Sequence, residues 1–263
     1  KKRVYDPTIQ ALTGFTDIQA DPVTRRPKMV RTLVADKTTA IYAAQAVTAA
    51  LLARTRTGKG QYLEVSMLDV MMSFLWPEGM APFAVVTEDR REAVATPHDM
   101  IFETSDGYVT FGTVSDKEWA GLCRALERPD LVADERFATG AQRSANRQLR
   151  METVEAAIAG FSSDNIIARL EANDVPCMKV KTRREALDDP QVIANKIVVE
   201  IDQPGLGRMR QARPAARFGD TPSHSPRPAP ALGQHSREIL IEVGFGDAEI
   251  AAFIDEGSVG TVS

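Results

Sequence analysis

The longest periodic stretch of the chain, residues 38–54, reads TTAIYAAQAVTAALLAR. Alanine and leucine dominate it, and a basic end is followed by the breaker Gly58, so a helix stopping at that glycine is predicted. Residues 61–67 (QYLEVSM) alternate and carry β-formers, which predicts a strand. Asp69 then stands where it caps a further helix, VMMSFLW, stopped by Pro77. From Pro77 to Pro97 no period is visible among Pro, Gly and charge, and a linker is expected. In 100–114 (MIFETSDGYVTFGTV) two alternating runs flank Asp106-Gly107, a turn dipeptide, and predict a hairpin. Helical patterns follow at 117–126, 146–159 and 165–172, so this middle part reads as α+β. Residues 205–230 hold five arginines, five prolines and one acid, Asp220, and are expected to be extended and irregular. Helices return at 236–243, with Gly244 as C-cap, and at 247–255.

With 263 residues, 43% of them apolar, the chain is long enough to bury a sizeable core. A net charge of −4 argues against a globally basic nucleic-acid binder, and Phe218 alone cannot make the arginine-rich segment a base-stacking surface. That segment reads better as a solvated arm than as an anion contact. Cys123 and Cys177, with His98, His224 and His235, give neither a zinc spacing nor a disulfide framework, so no metal is expected. The cysteines read as small buried hydrophobes of a reducing compartment. The apolar run 40–53 is shorter than the ~20 residues of a membrane span. The basic start lacks the apolar core of a signal peptide, and a cytoplasmic protein with no membrane partner is expected.

No G-x-S-x-G, P-loop or G-x-G-x-x-G is present. Asp36 is the most interesting carboxylate. It follows the apolar TLVA just before the predicted helix, where free amides and the helix dipole favour its ionised form. Two roles are open to it, a helix cap, which is the commoner one, or a nucleophile. Asp69 has the same ambiguity. The three histidines are scattered and none suggests a general base.

Taken together, the stretches YDPTIQALTG (5–14), VAD (34–36), ALLARTRTGKGQ (50–61), VSMLD (65–69), SDGY (105–108), LDDP (187–190) and ALGQ (231–234) resemble family III CoA-transferases, which include related acyl-CoA racemases. The resemblance implies a catalytic aspartate at Asp36 that attacks an acyl-CoA thioester, giving an acyl-aspartyl anhydride and CoA thiolate, then an aspartyl-CoA thioester and CoA transfer to an acceptor acid. It implies CoA contacts at Arg3, Val4, Tyr5, Asp6 and Met67. An acyl-CoA donor and a small carboxylic acid acceptor are the partners it implies. The fold it implies is α/β, with a Rossmann-like large domain built from 1–75 and 199–263, a linker at 76–97 and a small α+β domain at 98–198. Two protomers are expected to interlock as rings in a homodimer.

Three departures from the family pattern matter. Racemases carry a histidine where this chain has Tyr5 and a glutamate near Ser115, so transfer is expected over racemisation or isomerisation. Formyl-CoA transferases carry a glycine-rich loop ahead of the small domain, where 77–97 holds only Gly79, so a formyl-specific enzyme is not expected. Family members begin with a further stretch that this chain lacks. The expectation is a fragment, a processed form or one subunit of a split enzyme, working with an N-terminal companion polypeptide or inactive alone. A non-catalytic subunit that binds CoA is the rival of a different class.

Overall fold

The computed structural model describes residues 3–21, 23–77, 79–80, 83–84, 86, 100–223 and 226–261. Most of the expected linker, together with His98 and His224, lies outside these residues. The chain forms two units, one over Lys1–Met100 and one over Ile101–Ser263.

In the first unit the described elements are all helices. Helix α1 (Asp6–Leu12) carries Pro7 in its first turn, where a missing N–H costs nothing, and a short α2 (Phe15–Ile18) follows Gly14, whose φ is 80°. Helix α3 (Val34–Thr57) runs 24 residues, about 36 Å at 1.5 Å per residue. It stops as predicted: Gly58 takes φ 69° and its N–H bonds the Arg54 carbonyl at 2.8 Å. Helix α4 (Met67–Leu75) packs against both α1 and α3. Ile9, Ala35 and Met71 form the buried centre of this packing, with Phe15 and Met67 against it.

Two expectations are corrected here. Residues 61–66 are not a strand, because no other strand among the described residues lies beside them to accept their backbone bonds, and Tyr62 is 87% exposed. Asp69 is not the cap of α4. Ser66 is, accepting the Asp69 amide at 3.1 Å, while the Asp69 carboxylate accepts the Ser66 hydroxyl at 2.7 Å.

The second unit opens with the predicted hairpin, β1 (Ile101–Glu103) and β2 (Tyr108–Phe111), paired so that Phe102 faces Val109. Its turn is made by Ser105 and Asp106 rather than Asp106 and Gly107, since the Thr104 N–H bonds the Gly107 carbonyl at 2.9 Å. Gly107 serves close approach instead: a Cβ there would stand 3.2 Å from the Ser163 Oγ. Helix α5 (Asp116–Ala125) starts at a capping box of Ser115 and Glu118. After it come α6 (Asp130–Ala133), α7 (Gly140–Ala145), α8 (Arg147–Ile158) and α9 (Ser163–Glu171). Strand β3 (Cys177–Lys179) adds antiparallel to β2, giving the order β1-β2-β3.

Along β2, Val109 and Phe111 are buried and Tyr108 is exposed, so one face of the sheet is covered. Phe102 and Phe111 stack at 4.2 Å between ring centroids, and Trp119, Leu122, Ile158, Ile166 and Leu170 from the helices complete the core. The Asp106 carboxylate, accepting the Ser163 N–H at 2.7 Å, ties the hairpin turn to the start of α9.

Helices α10 (Arg183–Leu187) and α11 (Pro190–Ala194) lead to a second sheet, β4 (Val198–Gln203) paired antiparallel with β5 (Gly207–Ala212). This corrects the expectation of an irregular segment from 205. Gly205 and Gly207, with φ near 80°, make the turn, and Glu200 pairs with Arg208 and Arg210 across the strands. The described part of 213–230 is irregular. Helices α12 (Ser236–Glu242) and α13 (Asp247–Asp255) close the chain, with Gly244 at φ 99° between them.

Candidate active site

Asp36 lies in the first turn of α3, two residues past its start. The helix cap at Leu33 has no side-chain acceptor, so the N-terminal amides of α3 need partners from elsewhere. Asp6 supplies one. Its Oδ2 accepts the Ala35 N–H at 2.6 Å and the Asp36 N–H at 3.1 Å. Asp36 is therefore not the cap of its helix. Its carboxylate is exposed and has no hydrogen bond or ion pair among the described residues.

Asp6 is 2% exposed and its other oxygen, Oδ1, accepts the Gln10 Nε2–H at 2.6 Å. The two residues sit four apart on α1, one turn of the same face. Gln10, also buried, reaches the segment that leads into α3: its Nε2 donates to the Val30 and Thr32 carbonyls at 3.3 and 3.4 Å, and its Oε1 accepts the Val30 N–H at 3.1 Å. Gln10 was not among the residues singled out from the sequence. The four-residue spacing from Asp6 within YDPTIQALTG is the signal that finds it.

Of the other residues implied by the resemblance, Met67 stands at the start of α4 against the Ile9, Ala35 and Met71 cluster, which places it beside the first turn of α3. Tyr5 caps the start of α1 through its carbonyl, which accepts the Thr8 and Ile9 amides, and its side chain is exposed. Arg3 and Val4 precede it in an exposed, non-helical segment. The structure thus brings Asp6, Met67 and Asp36 to the meeting of α1, α3 and α4. Arg3, Val4 and Tyr5 precede them in the chain and, among the described residues, have no side-chain hydrogen bond or ion pair to them.

The other nucleophile candidates are weaker. Cys123 is fully buried, and burial pushes its thiol up to about 11. Burial also raises the partly exposed Cys177. The Ser115 hydroxyl and the Glu118 carboxylate are committed to their capping box, in which Glu118 accepts the Val114 and Ser115 amides, each at 2.8 Å. These bonds hold Glu118 below the usual carboxylate range. A cleft of about 630 Å³ lined by Thr182, Arg183, Arg184, Leu187, Asp188 and Arg210 contains neither Asp36 nor any of the implied CoA contacts. Among the described residues no group of three or more His, Cys, Asp or Glu is arranged to hold a metal, and no helix is long and apolar enough to cross a membrane.

A family model described as CoA-transferase family III matches residues 1–236. The chain is 29% identical over 248 residues to a succinyl-CoA:glutarate CoA-transferase of Mus musculus, covering 91% of this chain and 55% of that protein. It is 34% identical over 252 residues to a succinyl-CoA:mesaconate CoA-transferase of Haloarcula marismortui, covering 91% of this chain and 61% of that protein. The crystal structure of Rv3272 from M. tuberculosis superposes with a TM-score of 0.76 at 27% identity, over 90% of this chain and 63% of that one. The chain therefore spans less than two thirds of the length of these relatives.

Proposed function

The chain belongs to CoA-transferase family III, and from that membership we propose that it is the Asp36-bearing part of an enzyme that moves CoA between an acyl-CoA and a carboxylic acid. The observation that carries this reading is the state of Asp36: its backbone is pinned by Asp6 while its carboxylate is exposed and, among the described residues, unpaired. A carboxylate held in place but left without a partner suits a nucleophile better than a structural role.

In the proposed sequence an Asp36 oxygen attacks the thioester carbonyl of the donor, and the carbon–sulfur bond breaks to release CoA thiolate and an acyl-aspartyl anhydride. The thiolate then attacks the aspartyl carbonyl of the anhydride. The carbon–oxygen bond there breaks, leaving an aspartyl-CoA thioester and the donor acid as its carboxylate. An acceptor carboxylate repeats the two steps in reverse, taking CoA and restoring Asp36. No net proton is consumed, so the protein's task is placement and exclusion of water, which would hydrolyse the anhydride.

Succinyl-CoA is the donor and a dicarboxylate the acceptor in the names of the relatives in mouse and Haloarcula, and we take that pair as the substrate class. Arg3, Val4, Tyr5 and Met67 are proposed to lie along the CoA, whereas Asp6, 2% exposed with both carboxylate oxygens bonded inside the protein, is not proposed as a contact. The protein is proposed to act as an interlocked homodimer. The apolar residues exposed on α3, among them Ile41 at 70% and Leu52 at 57%, support an assembly over a lone chain. Racemisation is disfavoured by Tyr5 and by the commitment of Ser115 and Glu118 to their cap.

The test is mass-spectrometric detection of CoA transfer from succinyl-CoA to a panel of dicarboxylates by the full-length natural protein. Transfer supports the reading. Exchange of an α-proton of a 2-methylacyl-CoA into deuterated solvent, without transfer, replaces it with racemisation.

A further inference from the structure

We propose that Asp6 is a positioning residue for Asp36, acting with Gln10 as a buried polar clamp on the entry to α3; the inference rests on the reading of Asp36 as the nucleophile. The first turn of a helix is its loosest part, because four amides there have no partner within the helix. In α3 this is the turn that carries the proposed nucleophile, and Leu33 at the cap cannot secure it. Asp6 reaches across from α1, 29 residues earlier in the chain, and one of its oxygens accepts both the Ala35 and the Asp36 amides. Ala35 is fully buried, so no water can replace that acceptor. Gln10 completes the clamp by fixing the second Asp6 oxygen and by holding Val30 and Thr32 on the approach to the helix. Both sides of the bend at Arg31 and Thr32 are therefore tied to the same face of α1.

The clamp has a second consequence. The amides of the α3 start attract a carboxylate, and a free one in the first turn tends to fold back on them. Asp6 already occupies that place, and the Asp36 carboxylate is exposed with no hydrogen bond or ion pair among the described residues. One aspartate thus takes the structural role and leaves the other available for chemistry.

If positioning is the role, a neutral side chain of the same shape at Asp6 slows the acylation of Asp36 without weakening the binding of CoA. The experiment uses the full-length natural protein and its Asp6→Asn, Gln10→Leu and Asp36→Asn variants. It measures single-turnover acylation by succinyl-CoA, calorimetric binding of CoA, and amide hydrogen exchange of the peptide covering 34–40. For Asp6→Asn the expected result is an acylation rate lower by about 30- to 100-fold, the scale of a displacement near 1 Å, with faster exchange at 35 and 36 and unchanged CoA affinity. Gln10→Leu, which keeps Asp6, is expected to show the same pattern with a loss of about tenfold, and decides the matter if Asp6→Asn does not fold.

An unchanged acylation rate with faster exchange overturns the inference, because the cap is then structural only. Weaker CoA binding with an unchanged rate also overturns it and makes Asp6 a ligand contact. Asp36→Asn separates the two claims. If it acylates like the natural protein, the nucleophile reading fails by itself. If it is dead while Asp6→Asn is fully active, only the positioning claim fails.

Discussion

Around Phe102, Val109, Trp119, Leu122, Ile158 and Leu170 the second unit closes an apolar core between one face of a sheet and its helices. Around Ile9, Ala35 and Met71 the first unit gathers a much smaller apolar cluster. Beside it, along with the apolar Val70 and Leu75 of α4, polar groups are buried: Asp6, Gln10 and Thr13 all lie on or next to α1. The difference shows two ways of holding a backbone in place. Apolar packing is non-directional and tolerates small shifts, whereas a carboxylate that accepts two amides fixes the position of those amides. In the first unit such a carboxylate, Asp6, holds the backbone of the candidate nucleophile.

The sharpest way to break this comparison is to remove a polar group in the first unit, the Asp36 carboxylate, that takes no part in holding it. Asp36→Asn is expected to reduce CoA transfer by at least about 10³-fold while leaving the thermal midpoint unchanged, since the carboxylate has no hydrogen bond or ion pair among the described residues. A parallel fall in midpoint, read by calorimetry, would make Asp36 structural after all. In the second unit the apolar core carries the load, so Phe102→Ala is expected to cost about 3–5 kcal/mol in urea denaturation. Met67→Ala, at the edge of the smaller cluster, is expected to cost about 1–2 kcal/mol by the same measurement. Gly58→Ala forces a side chain into the left-handed region that ends α3 and should cost about 1–2 kcal/mol.

The smallest effect expected is electrostatic and belongs to the second unit. The Ser163 backbone bond holds Asp106 below the usual carboxylate range, and the Arg136 side chain holds Asp134 down to about 2. A depressed folded value means the stabilisation is complete above the ordinary carboxylate pKa and is lost as pH falls through the folded one. Urea midpoints measured from pH 7 down to pH 2 should therefore fall below about pH 4. Asp106→Asn should flatten that acid limb, and an unaltered limb would show that the turn lock contributes nothing.

How far the sequence could be read follows the same division. Helix α3 and its stop at Gly58, and the hairpin around Asp106, were readable because propensity, alternation and turn chemistry act between near neighbours. The strand expected at 61–67 failed on the missing partner, since alternation states only that a segment suits a sheet. The β4–β5 hairpin was hidden under arginine and proline content, although Glu200 opposite Arg210 gives its register once both strands are seen. For the site, Asp36 stood out as a carboxylate at a helix start, but its freedom did not. That freedom depends on Asp6 taking the cap from another helix, a contact between positions 29 residues apart that no local pattern records.

The most direct measurement is a trapping one. The full-length natural protein is incubated with succinyl-CoA and hydroxylamine, and the peptides covering 34–54 are mapped by mass spectrometry. The account predicts a hydroxamate on Asp36 that forms only when the acyl-CoA is present. A folded protein that transfers CoA yet carries no hydroxamate at Asp36, or carries it on another residue, would contradict it.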